Sequence, residues 1–513
     1  MGIDTLRMEP RFSEALQGAS IGNCYIESGF SGKGQSRLRG RRDIAAIDEN
    51  MSALWDNAVA VHESSKTGSI YILSEKNSSF YLQVLKDGKL ETIKDFGLDY
   101  ERMTKCGFAE MRFLNNPYIA GFKDGNYAIL MAVKDGLYVL DDLDPLNGGK
   151  FKEIPVPDDE EYEPIKVGSV CVVANRVIVS EAGTAKWHYS SIGGIKDDEI
   201  EMFNGANVYE AEYSNDKIAR VANMAGVRLA IFGERTLEIW DISGNPDDPF
   251  TTSYAGQVYK IGCIAESMQT ISDEVYFAGI EELSGKYAIY SAGRDGLKKL
   301  SDTPLDVEIS KVIKNMKAPA RSGKYAENST NFYLLHMEDP WNDKGNFTLA
   351  FNLADKAFSK FSHRTGAARA SCFNCLLSSG ELVIGLRGGI FKQMDEVAEH
   401  TGFYTEKSLI LPIIDKGGAG HFLPRKITID MQTISTPRGD PPGGNSIVLE
   451  YSPDGTDVFI GRRKITIPES GNRKAYPLAI WGLGRCNNLI LKISTGTCNF
   501  IMNAIIAQTE DIL

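Results

Sequence analysis

Apolar and polar residues alternate along most of this chain in short runs, and turn residues punctuate them. The pattern is clearest at 221–300. Runs at 228–232 and 237–241 are joined by Gly233-Glu234-Arg235-Thr236, and Ile261-Gly262-Cys263-Ile264 follows. A third run occupies 274–278, then a glycine-rich return, Ala292-Gly293-Arg294-Asp295-Gly296, and Leu300-Ser301-Asp302-Thr303-Pro304. Such spacing predicts consecutive β-hairpins closed by tight turns. Comparable runs at 71–73, 127–131, 170–173, 331–335 and 382–384 give a repeat of about 45–58 residues, the interval of β-propeller blades. Asp87-Gly88, Asp124-Gly125, Asp135-Gly136 and Asp295-Gly296 fall between candidate strands, where a turn needs positive φ. Residues 347–361 read as a strand, a turn at 352–356 and a second strand carrying Phe358 and Phe361. No sustained helical periodicity interrupts this cadence.

The pattern divides the chain into three parts. Residues 1–45 read as an irregular N-terminal arm, with a Gly/Ser/Arg loop at 31–42. Residues 46–404 read as a β-propeller of six or seven divergent blades; unrelated strands in two sandwiches are the alternative. The stretch 141–164, acidic and proline-bearing, reads as an exposed loop between units. Beyond residue 404 the rhythm changes. Runs at 408–414, 425–431, 446–451, 457–467, 489–494 and 499–506 predict an antiparallel β-sandwich over 405–513. The fold class expected is thus all-β.

Composition agrees with many strands and turns: 513 residues with 50 glycines, 42% hydrophobic and 24% charged. A chain of this length exceeds one core, so two or three domains are expected. The net charge of −12 argues against an extensive grip on nucleic acid, because phosphate neutralisation needs cations. No apolar run reaches the length of a membrane span, and the first residues lack a signal-peptide core or a myristoylation pattern. Eight scattered cysteines fit free buried thiols in a reducing cytoplasm.

Candidate chemistry is sparse. Cys372-Phe373-Asn374-Cys375 has no second pair at zinc-site spacing, so it reads as buried thiols before redox or metal chemistry. Ser452-Pro453-Asp454-Gly455-Thr456 looks like the Asp-box turn of sialidase propellers, a hairpin device that occurs once in this chain. Sugar hydrolysis would further need two placed carboxylates, or a tyrosine nucleophile with arginines. Trp240-Asp241 resembles the end of a WD-type blade but stands alone. The six histidines follow no metal-binding spacing, there is no phosphate-binding loop, and Gly388-Gly389 reads as a hairpin turn. The sharpest local charge is Arg37, Arg39, Arg41 and Arg42, a candidate contact for an acidic protein partner or for DNA phosphates. The protein partner is preferred because the chain is acidic overall.

Several segments, in order, resemble the tail hub proteins of short-tailed phages, the packaged-DNA-stabilisation or tail accessory factor family. They are Asn23-Cys24-Tyr25-Ile26-Glu27, the 221–300 hairpins, Gly385-Leu386-Arg387-Gly388-Gly389-Ile390-Phe391 leading into Thr401-Gly402 and 409–414, Tyr451-Ser452-Pro453-Asp454-Gly455, and Trp481-Gly482-Leu483-Gly484-Arg485. The basic loop at 33–42 and the acidic stretch at 141–164 depart from the family pattern. The resemblance implies a non-enzymatic virion protein without cofactor or metal. It would form a homo-oligomeric ring, expected as a hexamer, below the portal and its head-to-tail adaptor. It would retain packaged DNA, let the phage DNA pass without sequence-specific binding, hold the tail needle, and abut a tailspike or tail fibre. It would be made in the bacterial host cytoplasm and reside in the virion tail, with no membrane span. The alternative is a tail-associated propeller glycan hydrolase or glycan-binding module.

Overall fold

A computed structural model describes residues 4–8, 20–22, 24–28, 36–40, 44–46, 57–76, 79–86, 89–97, 106–114, 127–146, 151–158, 161–195, 202–211, 213, 216–246, 248–252, 258–315, 320–327, 330–337, 347–361, 373–376, 382–386, 389–393, 407–411, 421–435, 446–456, 458–466, 475–495 and 499–512.

Among these residues, seven antiparallel meanders succeed one another, as the repeat predicts. Blade 1 comprises Asn57–Glu63, Ile70–Lys76, Ser79–Lys86 and Lys89–Gly97; blade 2, Gly107–Arg112, Tyr127–Val133, Gly136–Asp141 and Phe151–Ile154. Blade 3 comprises Val167–Val173, Arg176–Glu181, Lys186–Tyr189 and Val208–Glu210; blade 4, Ile218–Met224, Arg228–Gly233, Leu237–Ile242 and Phe250–Thr252. In blade 5, Ile261–Cys263 and Gln269–Ile271 share the partner Glu274–Glu281, and Tyr287–Gly293 and Gly296–Lys299 complete the sheet. Blade 6 runs through Arg321–Glu327, Thr330–Met337, Phe347–Asn352 and Phe358–Phe361. Blade 7 has Phe373–Leu376, Leu382–Leu386 and Gly389–Gln393, and its fourth strand is Ile44–Ala46 from the other end of the chain. The first strand of blade 7 lies beside the first strands of blades 6 and 1, which closes the ring.

Consecutive blades share apolar clusters because each sheet buries both faces. Tyr71, Leu73 and Phe80 pack with Ile129 and Met131 between blades 1 and 2; Phe232, Leu237 and Ile239 pack with Val275 and Phe277 between blades 4 and 5. The heaviest joint lies between blades 3 and 4. Trp187 meets Trp240 edge-on at 5.4 Å and Phe250 at 5.2 Å, and stacks on Tyr209 at 4.8 Å. Each such pair adds about 0.5–1.5 kcal/mol beyond its buried area. Trp240-Asp241 is therefore scaffold: the indole is buried, and Asp241 takes the Arg228 guanidinium at 2.7 Å. Glycine is obligatory at 262, where a Cβ would sit 1.9 Å from the Glu234 carbonyl in the blade 4 turn.

Several expectations need correction. Six of the seven seed runs are second strands of their blades, but 170–173 belongs to a first strand. Its blade's next strand follows after only Ala174-Asn175, both at positive φ, so two apolar runs blur into one. In blade 2 the left-handed turn residues are Lys134 and Asp135, one position before the Asp-Gly pair. The stretch 141–164 is not simply an exposed loop. Phe151–Ile154 is an outer strand with its charges outward, and Asp141 and Asp142 are buried. A helix, Thr303–Asn315, interrupts the strands between blades 5 and 6; Asp302 caps it by accepting the Leu305 amide at 3.0 Å, and Pro304 stands in its first turn.

The arm at 1–45 is not irregular throughout either. Asp4–Met8, Ser20–Gly22, Cys24–Ser28 and Ser36–Gly40 are strands too short and polar to stand out, and they find partners far along the chain. Ser20–Gly22 runs parallel to blade 6 at Lys360 and antiparallel to Lys407–Ile410, so one sheet continues from the propeller into Ile490–Thr495, Ser446–Ser452 and Gly461–Thr466. Gly22 makes this junction possible: a Cβ there would meet Ser408 Oγ at 2.5 Å. A second sheet pairs Cys24–Ser28, Ser36–Gly40, Asn499–Ile512, His421–Ser435 and Ala475–Trp481, the last strand unanticipated. Both sheets contribute to one cluster that includes Ile21, Ile26, Leu38, Ile429, Leu449 and Ile493.

Polar groups lock neighbouring blades. Asp142 accepts hydrogen bonds from Ser64 at 2.5 Å, Thr67 at 3.0 Å and Tyr71 at 2.7 Å, across the joint of blades 1 and 2. Together with burial, its charge raises the Tyr71 hydroxyl pKa above the usual phenol range. Asp142→Ala leaves three hydroxyls without their acceptor and is expected to destabilise the fold by about 2–4 kcal/mol. Urea unfolding checks this; an unchanged midpoint would contradict the clamp.

Candidate functional site

The first strand of each blade faces the axis, where the sheets converge and side chains must be small or must pair. Blades 1–6 line an axial cavity of about 460 Å³. Its polar groups include His62, Glu110, Arg220, Asn223, Arg321 and Lys324, and Glu266 and Asp273 add two further carboxylates.

Several of these groups hydrogen-bond to a neighbouring blade. His62 Nε2 lies 2.8 Å from Glu110 Oε1, with the imidazole stacked on Phe108 at 5.3 Å. The Ser65 amide and hydroxyl donate to the same carboxylate. Burial alone would raise the Glu110 pKa, but donors from His62 and Ser65 outweigh it and hold it below the usual glutamate value. A carboxylate held ionised in this way is unsuited to donate a proton. Arg220 reaches from blade 4 to the Ala265 carbonyl at 3.0 Å, and Asn223 Nδ2 donates to the Val172 carbonyl at 2.7 Å. Ser322 Oγ donates to the Met268 carbonyl at 2.8 Å, joining blade 6 to blade 5.

Two thiols complete the wall. Burial pushes Cys106 up to about 12 and Cys171 higher still, and the nearby Arg220 charge only moderates the effect. Both stay protonated and unreactive at neutral pH. Among the described residues no group of three His, Cys, Asp or Glu side chains could hold a metal ion. The axis is therefore a set of inter-blade ties around a small polar cavity.

The arginine cluster divides. Arg37 and Arg39 lie on alternate positions of Ser36–Gly40, hence on one face, and both meet Glu27: Arg37 Nε at 2.6 Å from Oε2 and Arg39 Nη1 at 3.3 Å from Oε1. Glu27 and Arg39 are buried. Tyr25, on the same face, packs edge-on against Phe332 of blade 6 at 5.3 Å. Two of the four arginines thus brace the arm's own strand pair, which meets the propeller through Tyr25, and Arg41 and Arg42 lie outside the described residues. The sequence signal was the alternation of Tyr25 and Glu27 opposite Arg37 and Arg39. Cys372 lies outside the described residues, as does the Cys375 side chain. The Asp-box-like turn is a hairpin device: Asp454 Oδ1 accepts from Ser452 Oγ at 2.8 Å and Thr456 Oγ1 at 2.7 Å, and Gly455 has φ +77°. Donors from Thr456 and Ser452 lower the Asp454 pKa.

Residues 133–342 match the family model described as bacteriophage P22 Gp10, beta-propeller. Over these blades the chain is similar to that phage stabilisation family. The match runs from the second strand of blade 2 into blade 6, includes the 221–300 hairpins, and spans less than half of the chain. The family is a phage tail-associated β-propeller family, and its structural character points away from catalysis. No curated protein matches. Among solved structures, a streptogramin B lyase is 12% identical with a TM-score of 0.40, over 72% of this chain and 97% of that one. The extracellular domain of a hybrid two-component system from B. thetaiotaomicron is 10% identical with a TM-score of 0.41, over 86% and 47%. The WD40 propeller of Doa1 is 7% identical with a TM-score of 0.34, over 68% and 96%. Superpositions at this level carry no argument.

Beside the cavity, His336 stands opposite Arg321 in the blade 6 ladder. Burial, with the Arg321 charge, lowers its pKa to about 3; burial, with Lys186, lowers that of His188 to about 4. The unfolded chain protonates both below about pH 6.5, but the fold does not, so stability falls as pH drops from 6.5 towards 4. Each ring contributes a slope of about 1.4 kcal/mol per pH unit in that window. His336→Gln is expected to flatten the pH dependence of urea unfolding; an unchanged slope would contradict the neutral imidazole.

Proposed function

We propose that this chain is a tail hub subunit that forms a closed ring, as a hexamer, beneath the portal-adaptor complex. The family match at 133–342 carries this reading, since it ties the central blades to a tail-associated propeller. The ring retains packaged DNA, lets it pass without sequence readout, and offers docking for needle and tailspikes or fibres. The protein is made in the host cytoplasm and resides in the virion tail.

The reading assigns 46–404 to the propeller and 405–513 to a β-sandwich, with the N-terminal arm as their joint. Rigid blades suit a collar, because closure leaves few open sheet edges while loops at both faces remain available for partners. Ring symmetry requires two different patches on each subunit. We assign Arg41 and Arg42 to contact with an acidic surface of the adaptor; Arg37 and Arg39 support them by anchoring their strand on Glu27. The ionised Glu110 and neutral thiols of the axis favour this reading over glycan hydrolysis.

Cryo-electron microscopy of purified particles tests the proposal. Ring density for this chain on the tail axis below the adaptor is expected. A position in the capsid shell, absence from particles, or turnover of a host glycan by the purified protein would overturn it.

A further inference from the structure

The inter-blade ties leave some charged groups of the axial cavity unspent, and these differ in sign. Arg220 projects from the first strand of blade 4. Its Nη1 donates to the Ala265 carbonyl of blade 5, and no carboxylate pairs with it among the described residues. Gly107 of blade 2 makes room for the other end of the fork: a Cβ there would lie 3.2 Å from Nη2. The guanidinium charge also acts on the thiols of Cys106, Cys171 and Cys263, so the group stands among blades 2, 3 and 5. Lys324 of blade 6 is a second half-buried cation in the same wall, and Glu266 of blade 5 is a half-buried anion. Among the described residues neither forms an ion pair.

The other charges of the cavity are accounted for. Glu110 holds His62 and Ser65, Arg321 has a partner of its own, and Asp273 is exposed to solvent. A charge taken out of water costs free energy unless it is paired, so the three remaining groups favour counter-charges within the cavity. Two cations and one anion are matched group for group by two carboxylates and one ammonium, the charge pattern of an acidic α-amino acid. The guanidinium fork suits the planar α-carboxylate, the Lys324 ammonium the side-chain carboxylate, and Glu266 the α-ammonium. A dicarboxylate would set like charge against Glu266, and a neutral amino acid would leave Lys324 without a partner. The volume of about 460 Å³ falls within the roughly 300–1,000 Å³ of small-molecule sites, with space for bridging waters.

We propose that the axial cavity binds a free acidic α-amino acid through Arg220, Lys324 and Glu266. Such a site is independent of ring assembly, because each propeller axis lies within one subunit.

Isothermal titration of the full chain with L-glutamate, L-aspartate and the analogues glutarate and L-glutamine tests this. The two acidic amino acids are expected to bind. Glutarate lacks the ammonium and L-glutamine the second carboxylate, and each should bind about tenfold or more weakly than L-glutamate. Arg220→Gln should weaken L-glutamate by a similar factor. Glu266→Gln should remove the advantage of L-glutamate over glutarate, and Lys324→Gln its advantage over L-glutamine, changes that a merely structural role would not produce. The wild-type ligand series decides the matter if a variant does not fold. No binding of either acidic amino acid at millimolar concentration, equal binding of L-glutamate and its two analogues, or unchanged preferences in folded variants would overturn the proposal.

Discussion

The architecture depends on a ladder between the two ends of the chain. Ile44–Ala46 supplies the fourth strand of blade 7, and Ser20–Gly22 bridges blade 6 to Lys407–Ile410. Beside them, the Ile26 carbonyl accepts the Asn352 amide across 326 residues of sequence. Closing a loop of that length costs about 5 kcal/mol in chain entropy alone. Short strands cannot offset that singly. The arm therefore combines backbone pairing with burial of Ile21, Tyr25, Ile26 and Leu38 and with the Glu27 ion pairs. Without the arm, blade 7 lacks its outer strand and the long sheet is cut at Gly22.

Inter-blade ties distribute the same constraint around the ring. Asp142 clamps blades 1 and 2, Val221 donates its amide to Ser169 between blades 3 and 4, and Tyr333 reaches the Ser267 carbonyl between blades 5 and 6. These are specific, directional bonds laid over apolar joints, so slippage of one blade against the next leaves buried groups unpaired. The axial cavity belongs to this system. In its wall, His62 and Glu110 join blades 1 and 2, and Arg220 joins blade 4 to blade 5.

Much of the propeller was legible because hairpins are local. The runs at 228–232 and 237–241, the return at Gly296 and the Asn352 turn all appear as read, since period-two alternation and turn chemistry act over a few residues. What stayed hidden depends on distant partners or on context. Strands such as Ser36–Gly40 are mostly polar on the face that carries Arg37 and Arg39, whose charges meet Glu27 on the neighbouring strand. The helix at Thr303–Asn315 was announced by Asp302 and Pro304, but these read equally as a turn. Asp142 looked like a solvated loop charge because the hydroxyls it accepts from lie more than 70 positions earlier. The arginine cluster was a genuine local signal; half of it serves the fold.

Hydrogen exchange of the native chain tests the closure most directly. If the arm closes the ring, amides of Cys24–Ser28 and Ile44–Ala46 exchange as slowly as those of the blade 4 strand Arg228–Gly233, through global unfolding. Exchange of the arm within seconds, while the blades remain protected, would contradict the account.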